Sequence, residues 1–401
     1  MPAQVLVLLG GKYVRFLDQH LHRLRKTYDH GNRTLFYDQL ASTYLLAFFN
    51  PTLRSLRTIE DISATPEFTQ WLNRGRVPRS TMSDANALMD PRLLEPIIAQ
   101  LRQQIPALSK QDRPLWRLLQ DVVLVDGSFF AAAADVAYAL GQRARKSDPR
   151  GERRCFKMRL DMQLDAGSLL PRHLGVHGKG TSEAAAARKH IEPGCIYVLD
   201  RGYVQFPYLQ AILDQGADFV LRLKSTEDFA IREEQVLDEQ DRAPGVLSDR
   251  IGQLVGSPHC KAPRQMLRDV VIFDVDHPEK PIRILTSLLA VPEYVIADLY
   301  RWRWQLELFF RWLKVDAHFE HLLSHNVRGM TLGFYVAVIA VLLIYLHTGR
   351  SMSKYAYNAL SWVACGWATV EQILPILERR EKECQRDRER QARRRAEKTG
   401  R

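Results

Sequence analysis

Three acidic side chains are placed to gather oxygen ligands for a hard divalent cation. Asp126 follows Val122-Val123-Leu124-Val125, and Asp200 follows Ile196-Tyr197-Val198-Leu199. Each apolar run reads as a short buried strand, so each acid falls at a strand's carboxyl end. An Asp in that position is often only a turn residue. Two of them projecting into one crevice at a sheet's carboxyl edge repel each other unless a cation lies between them. Mg²⁺ and similar ions prefer such donors.

The third acid is Glu307, in the stretch Tyr300-Arg-Trp-Arg303-Trp-Gln-Leu-Glu307-Leu-Phe-Phe-Arg311-Trp-Leu-Lys314. At about 100° per residue, Tyr300, Arg303, Glu307, Arg311 and Lys314 fall within about 80° of one helical face. Leu306, Phe309 and Leu313 lie elsewhere. One acid among three cations and a phenol suits a site that binds phosphates and offers one metal ligand. A solvated face with an i, i+4 Glu–Arg pair is the plainer alternative, but it does not call for Trp302, Trp304 and Trp312. Asp316 and Glu320 point away from this face, and Asp121 falls on the opposite side of its strand from Asp126.

The elements that must carry these residues can be read around them. Residues 1–115 have helical periodicity, in Phe36–Phe49 and Leu94–Leu101. Between these, Phe68, Trp71 and Leu72 fit one helix, residues 73–78 break it, and Ser80 caps a second. That pair suggests a helix-turn-helix whose Arg79, Ser83 and Asn86 would meet DNA. From 116 the texture turns to strands. Cys155–Leu164 and Leu169–Val176 form a hairpin about Asp165-Ala166-Gly167. An Ala-rich helix follows over Glu183–His190, then the Asp200 strand, a helix over Phe206–Asp214 and a strand over Phe219–Leu223. Residues 225–280 interrupt as a partly β insertion. Ile282–Leu289 resumes the core, and a long helix begins after Pro292 and runs past Lys314. The order specifies an α/β fold with a mixed sheet.

Composition narrows the partners. Lys and Arg exceed Asp and Glu by 57 to 46, a net charge of +11. A basic balance favours nucleic acid. The tail from Glu378 to Arg401 holds 11 basic and 6 acidic residues, a mixed-charge segment that suits a solvated helix or a DNA clamp. Five cysteines without CxxC spacing suit a reducing cytosol and argue against a zinc ribbon or a disulfide framework. The N-terminus has no basic region or cleavage site of a signal peptide. The apolar stretch Leu332–Leu346, about 15 residues, is shorter than the roughly 20 a bilayer needs and reads as a buried core helix. No membrane association is expected, and the location expected is cytoplasmic.

Tyr300, Arg303, Glu307 and Lys314, separated by two, three and six residues, resemble the Y-R-E-K signature of bacterial insertion-sequence transposases of the DDE class, insertion-sequence-4 type. The segments VLVDGS around Asp126 and YVLDRGY around Asp200 resemble that family's first two acids. The likeness spans about 116–347, and LNRGRVPRSTMSDAN is more loosely similar to the family's DNA-binding part. It implies a ribonuclease-H-like catalytic core over 116–347, a helical DNA-binding domain over 1–115 and a C-terminal helical region with a basic tail over 348–401. It further implies that Asp126, Asp200 and Glu307 hold two Mg²⁺ or Mn²⁺ ions, while Tyr300, Arg303, Arg311 and Lys314 grip double-stranded DNA. A homodimer on the DNA is expected, because two element ends must meet. Hairpin-forming relatives stack a flipped base on a Trp in the insertion. Residues 225–290 here contain none, only Phe229 and Phe273. Trp304 resembles a second family aromatic near that base.

Other readings remain open at this point. A ribonuclease-H-like nuclease without strand transfer would share the acids. A DNA-binding protein descended from a transposase would keep the fold without the reaction. A zinc site on His318, His321 and His325 lacks HExxH, and a phosphate-cradling GxxxxGK[ST] motif is absent.

Overall fold

A computed structural model describes residues 22–26, 34–50, 52–66, 68–69, 75–104, 118–119, 121–132, 156–177, 181–237, 245–256, 260–274, 279–316, 323–324, 326–348, 354–364 and 367–399. The chain divides into two compact units, 1–106 together with 312–401, and 107–311.

The first unit opens with helices α1 (Tyr37–Phe49), α2 (Leu56–Ser63), α3 (Arg79–Leu88) and α4 (Glu95–Gln103). Ser55 caps α2, its hydroxyl accepting from the Thr58 amide at 3.1 Å. Helix α3 starts two residues earlier than expected. Pro78, extended at φ −60° and ψ 142°, holds the cap position, so Ser80 sits exposed in the first turn and caps nothing. Phe68 is buried, whereas Trp71 and Leu72 lie outside the described residues.

The second unit carries one sheet. Its described strands are β1 (Val122–Ala132), β2 (Phe156–Asp165), β3 (Leu170–His177), β4 (Ile196–Leu199), β5 (Asp218–Leu223), β6 (Phe229–Glu234), β7 (Val246–Leu254), β8 (Leu267–Ile272) and β9 (Ile282–Thr286). They lie in the order β3-β2-β1-β4-β5-β9-β8-β7-β6. Strands β1, β4 and β5 are mutually parallel, and the remaining pairs are antiparallel. The hairpin falls where the sequence puts it, closing over Ala166–Leu169 with Leu169 at φ 57°. Residues 225–280 contribute β6, β7 and β8, which extend the sheet through β9.

Short helices bracket these strands. Helix α5 (Glu183–Ala187), capped by Ser182, runs into a 3₁₀ turn over Arg188–His190, and α6 spans Phe206–Asp214. Val123 and Val125 of β1, Tyr197 and Leu199 of β4, and Phe219 and Leu221 of β5 bury one face of the sheet in a cluster with Ala184, Ala187, Leu209 and Ile212 of those helices. Side chains alternate along a strand, so Leu124 and Asp126 face the other way. There the chain places α7 (Glu293–Trp302) and α8 (Trp304–Arg311). The expected single helix past Lys314 is broken. The Arg303 amide donates to the Tyr300 carbonyl and the Leu306 amide to the Arg303 carbonyl, both three residues back, which tightens the turn between α7 and α8. A π-helical turn over Trp312–Asp316 follows.

The first unit resumes there. Its remaining helices are α9 (Val327–Thr348), α10 (Lys354–Ala364) and α11 (Val370–Thr399). Helix α9 packs on α1, α3 and α4, and the Tyr335 hydroxyl donates to Glu95 at 2.7 Å. Over Val327–Leu346 it is long and apolar enough to cross a bilayer, more than the sequence stretch suggested, yet 78% of that window is buried inside the protein. Trp312 packs edge-on against Phe48 and Tyr357, with ring centroids 6.2 Å apart in each pair. His318, His321, His325 and Glu320 lie outside the described residues. The basic tail is helical from Val370 to Thr399.

Candidate active site

The site begins with a step in the sheet. Strand β4 pairs with β1 only over Val122–Leu124, while β1 continues beside β2 to Ala132. The sequence reading ended this strand at Asp126. Pairing with β2, which the apolar pattern does not reveal, carries it further. Leu124 and Val198 are register partners, so Asp126 and Asp200, each two residues on, emerge side by side where β4 stops. Asp200 remains extended, at φ −86° and ψ 168°, before a 3₁₀ turn over Arg201–Tyr203.

Arg303 ties the third acid to this pair. Its Nη1 lies 3.4 Å from Asp126 Oδ2, and its Nη2 donates to Glu307 Oε1 at 2.5 Å. The guanidinium also sits 5.8 Å from the ring centre of Tyr300, which is itself buried. Burial opposes the charge on Arg303, but Tyr300, Asp200, Glu307 and Asp126 together hold its pKa above the usual value. Burial pushes Asp126 up to about 6, against the pull of Arg303 and of the Gly127 amide, with Asp200 and Glu183 adding like-charge repulsion. Asp200 Oδ1 is buried and has no hydrogen-bond partner. A buried carboxylate oxygen costs free energy unless a donor or a cation satisfies it.

The oxygen donors are of the kind a hard divalent ion takes. The orphaned Asp200 oxygen and the repelling aspartate pair fit such an ion. Among the described residues, no three His, Cys, Asp or Glu side chains already stand close enough to hold one. Arg303 instead supplies the compensating charge between Asp126 and Glu307.

The remaining predicted residues separate into exposed and buried ones. Trp304 is 56% exposed, and Arg311 is exposed at the end of α8. Lys314 lies half-buried in the π-helical turn, in the other unit, so the Tyr300–Lys314 stripe is not one continuous α-helical face. Arg79 and Ser83 are exposed on α3. Asn86 is 1% exposed, beside Met82 and Ala85 on the inner face of α3 and against Tyr44. It cannot meet DNA there, which corrects its assignment.

The profile of the transposase DDE domain family matches residues 117–343, more than half of the chain. The chain belongs to the DDE transposase domain family. A protein of Sinorhizobium fredii named as a transposase, y4zB, is 30% identical over 189 residues, covering 47% of this chain and 52% of its own length. A Geobacillus stearothermophilus protein named as a transposase for the insertion sequence element IS5377 is 29% identical over 150 residues, 37% of this chain and 38% of its own. One from Synechocystis, named for IS4SA, is 25% identical over 159 residues, 38% and 40% of the two chains. The chain thus matches about half or less of the length of these relatives. The cryo-EM structure of a piggyBac transposase synaptic complex with hairpin DNA is similar at a TM-score of 0.40 and 12% identity, covering 91% of this chain and 78% of that one.

Within this DDE domain the sequence reading passed over one group. Glu183, Asp161 and Arg159 lie at the same sheet end, on the face opposite Asp126. Arg159 forks onto Asp161, Nε–Oδ1 at 2.6 Å and Nη2–Oδ2 at 2.8 Å, and His177 Nε2 lies 3.7 Å from Asp161. The available signal was an acid opening the helix just before the second aspartate strand.

Proposed function

We propose that the chain is a DNA transposase of the insertion-sequence-4 type that cuts element ends and joins them to target DNA, with Asp126, Asp200 and Glu307 as the metal-holding acids. The observation that carries this is the meeting of Asp126 with Arg303 and Glu307 beside Asp200, whose inner oxygen is unpartnered. The strand order β3-β2-β1-β4-β5 supports a ribonuclease-H-like core, with β6–β8 as the insertion that widens the sheet through β9. Bound Mg²⁺ or Mn²⁺, two per site, would supply the polarisation of the scissile phosphate and the lowered pKa of an attacking water or 3′-hydroxyl.

The protein's own groups do the rest. Arg303 neutralises the carboxylates in the structure described here. With those carboxylates otherwise balanced, the planar fork of Arg303 would be free to bind the phosphate beside the reacting bond. Tyr300 holds Arg303 from behind. Trp304, exposed next to it, offers a stacking face for an unpaired base. Lys314, from its spacing alone, is assigned a second phosphate contact. Arg79 and Ser83 are suited to phosphate and base contacts on the element ends, and a homodimer would bring two ends together.

The test is cleavage of a supercoiled plasmid carrying the element's own ends, with Mg²⁺, Mn²⁺ or chelator, by wild type and by Asp126→Ala, Asp200→Ala and Glu307→Ala. Metal-dependent cutting that all three variants lose supports the site. Joined products separate transposition from simple nuclease action. Binding of the ends without cutting under any metal would make the chain a non-catalytic DNA-binding derivative.

A further inference from the structure

The corner between α7 and α8 decides where the third acid stands. Helix α7 packs on β4, β5 and β9, and α8 packs on β1. The chain crosses from one set of strands to the other at Arg303, so the angle of that corner sets how Arg303 and Glu307 meet Asp126. Arg303 does not anchor the corner to the sheet by itself. Its two terminal nitrogens face Asp126 and Glu307, and its Nε is buried with no hydrogen-bond partner. The anchor is the residue before it. The Trp302 indole N–H donates to the Ala166 carbonyl at 2.9 Å, across 136 positions of sequence. Ala166 lies in the turn of the β2–β3 hairpin, fully buried, and its own N–H donates to the Val122 carbonyl at 2.9 Å. Val122 opens β1, the strand that carries Asp126. Two hydrogen bonds thus run from that strand, through a buried turn, to the corner that carries Arg303. A buried carbonyl that loses its donor costs free energy, so turn and corner hold each other. Glu307 follows about one helical turn later on α8 and moves with the corner.

We propose that Trp302 is a positioning residue for the reaction: its indole, fixed on the hairpin turn, sets the corner angle that keeps Arg303 and Glu307 at Asp126. This rests on the reading of Asp126 and Glu307 as metal-holding acids. The β2–β3 turn, remote from both in sequence, then becomes a support of the reactive centre.

The experiment compares the full chain with Trp302→Phe, which keeps an aromatic ring and removes the N–H. Cleavage of element ends should slow about 10- to 100-fold at saturating DNA, with the half-saturating DNA concentration within about 2-fold of wild type. The Tm in chelator should fall by no more than about 4 °C. Nuclear magnetic resonance reads the position of Arg303 without any reaction. Its side-chain Nε–H signal, assigned by its absence in Arg303→Lys, should shift and exchange faster with water in Trp302→Phe. Trp367→Phe, at an indole 80% exposed in the other unit, should change neither rate nor signal. If Trp302→Phe proves unfolded, 3-benzothienylalanine at position 302, which replaces the N–H by sulfur in a ring of the same shape, takes its place. An unchanged Arg303 signal overturns the proposal, and so does a wild-type rate in a variant whose Arg303 signal has moved. Wild type that cuts under no metal defeats the proposed function instead, and the Arg303 signal still decides whether Trp302 holds the corner.

Discussion

Two sets of acids sit in the same sheet and are treated differently. At the far end, Asp249 and Asp269 are buried and answered by arginines. Arg268 forks onto Asp249, reaches Glu293 at 2.9 Å and donates to the carbonyls of Leu289 and Val291. Asp269 Oδ2 takes Arg250 at 3.1 Å and Arg283 at 2.9 Å, although its Oδ1 is buried without a partner. At the other end, Asp126 and Asp200 stand at neighbouring strand ends with one arginine reaching Asp126 at 3.4 Å and an Asp200 oxygen unpartnered. Buried charges that serve only the fold are paired where they stand. Those kept under-paired hold binding capacity in reserve, and stability is lower for it.

The sharpest way to break this contrast is to remove the charges at the reactive end. Asp126→Asn, Asp200→Asn and Glu307→Gln are each expected to lower DNA cleavage by about 1,000-fold or more. Asp126→Asn should at the same time melt no lower than wild type in chelator. A large loss of Tm in that variant would make Asp126 a structural residue. The opposite outcome is expected at the far end. Arg268→Ala leaves Asp249 and Glu293 unanswered and should cost about 3–5 kcal/mol in denaturant unfolding. A loss below about 1 kcal/mol would erase the distinction between the two sets.

Gly127→Ala probes the crowding directly. Its Cβ would come within 2.7 Å of Asp161 Oδ1, which Arg159 pins in place. Overpacking should cost about 1–3 kcal/mol of stability. An unchanged melting temperature would show that the acids have room to move. The smallest effect belongs to Trp304→Ala. Stability should stay within about 0.5 kcal/mol, while affinity for element ends falls by about 1–3 kcal/mol. A gel-shift titration that shows no change would remove Trp304 from the DNA surface.

Much of the reactive end is legible in the sequence because local signals coincide there. The Val122–Val125 and Ile196–Leu199 runs mark their strands, Phe206–Asp214 has the expected bounds as a helix, and the Arg303–Glu307 spacing brings the two side chains into contact on one face. What escaped depends on partners distant in sequence. Pairing with β2 lengthens β1, and no apolar run announces it. The tightened turn at Arg303 and the π turn after Arg311 interrupt a pattern that reads as one helix. Asn86 could have been placed, since it follows Met82 by four residues on the buried stripe of α3. Glu183 offered only the weak signal of an acid opening the helix just before the Asp200 strand.

The division of the chain has a consequence for its synthesis. Helices α1, α3 and α4 find their apolar partner in α9, which is complete only at Thr348, 348 − 103 = 245 residues after α4 ends. At about 5–20 residues per second, the ribosome takes roughly 12–50 s to deliver it. For that interval the early helices are a half-built core with its sticky face uncovered, while the whole sheet-bearing segment is synthesised between them and their partner. Chaperone dependence during translation, and sensitivity to slowed codons between positions 103 and 348, follow from that topology rather than from any residue of the reactive centre.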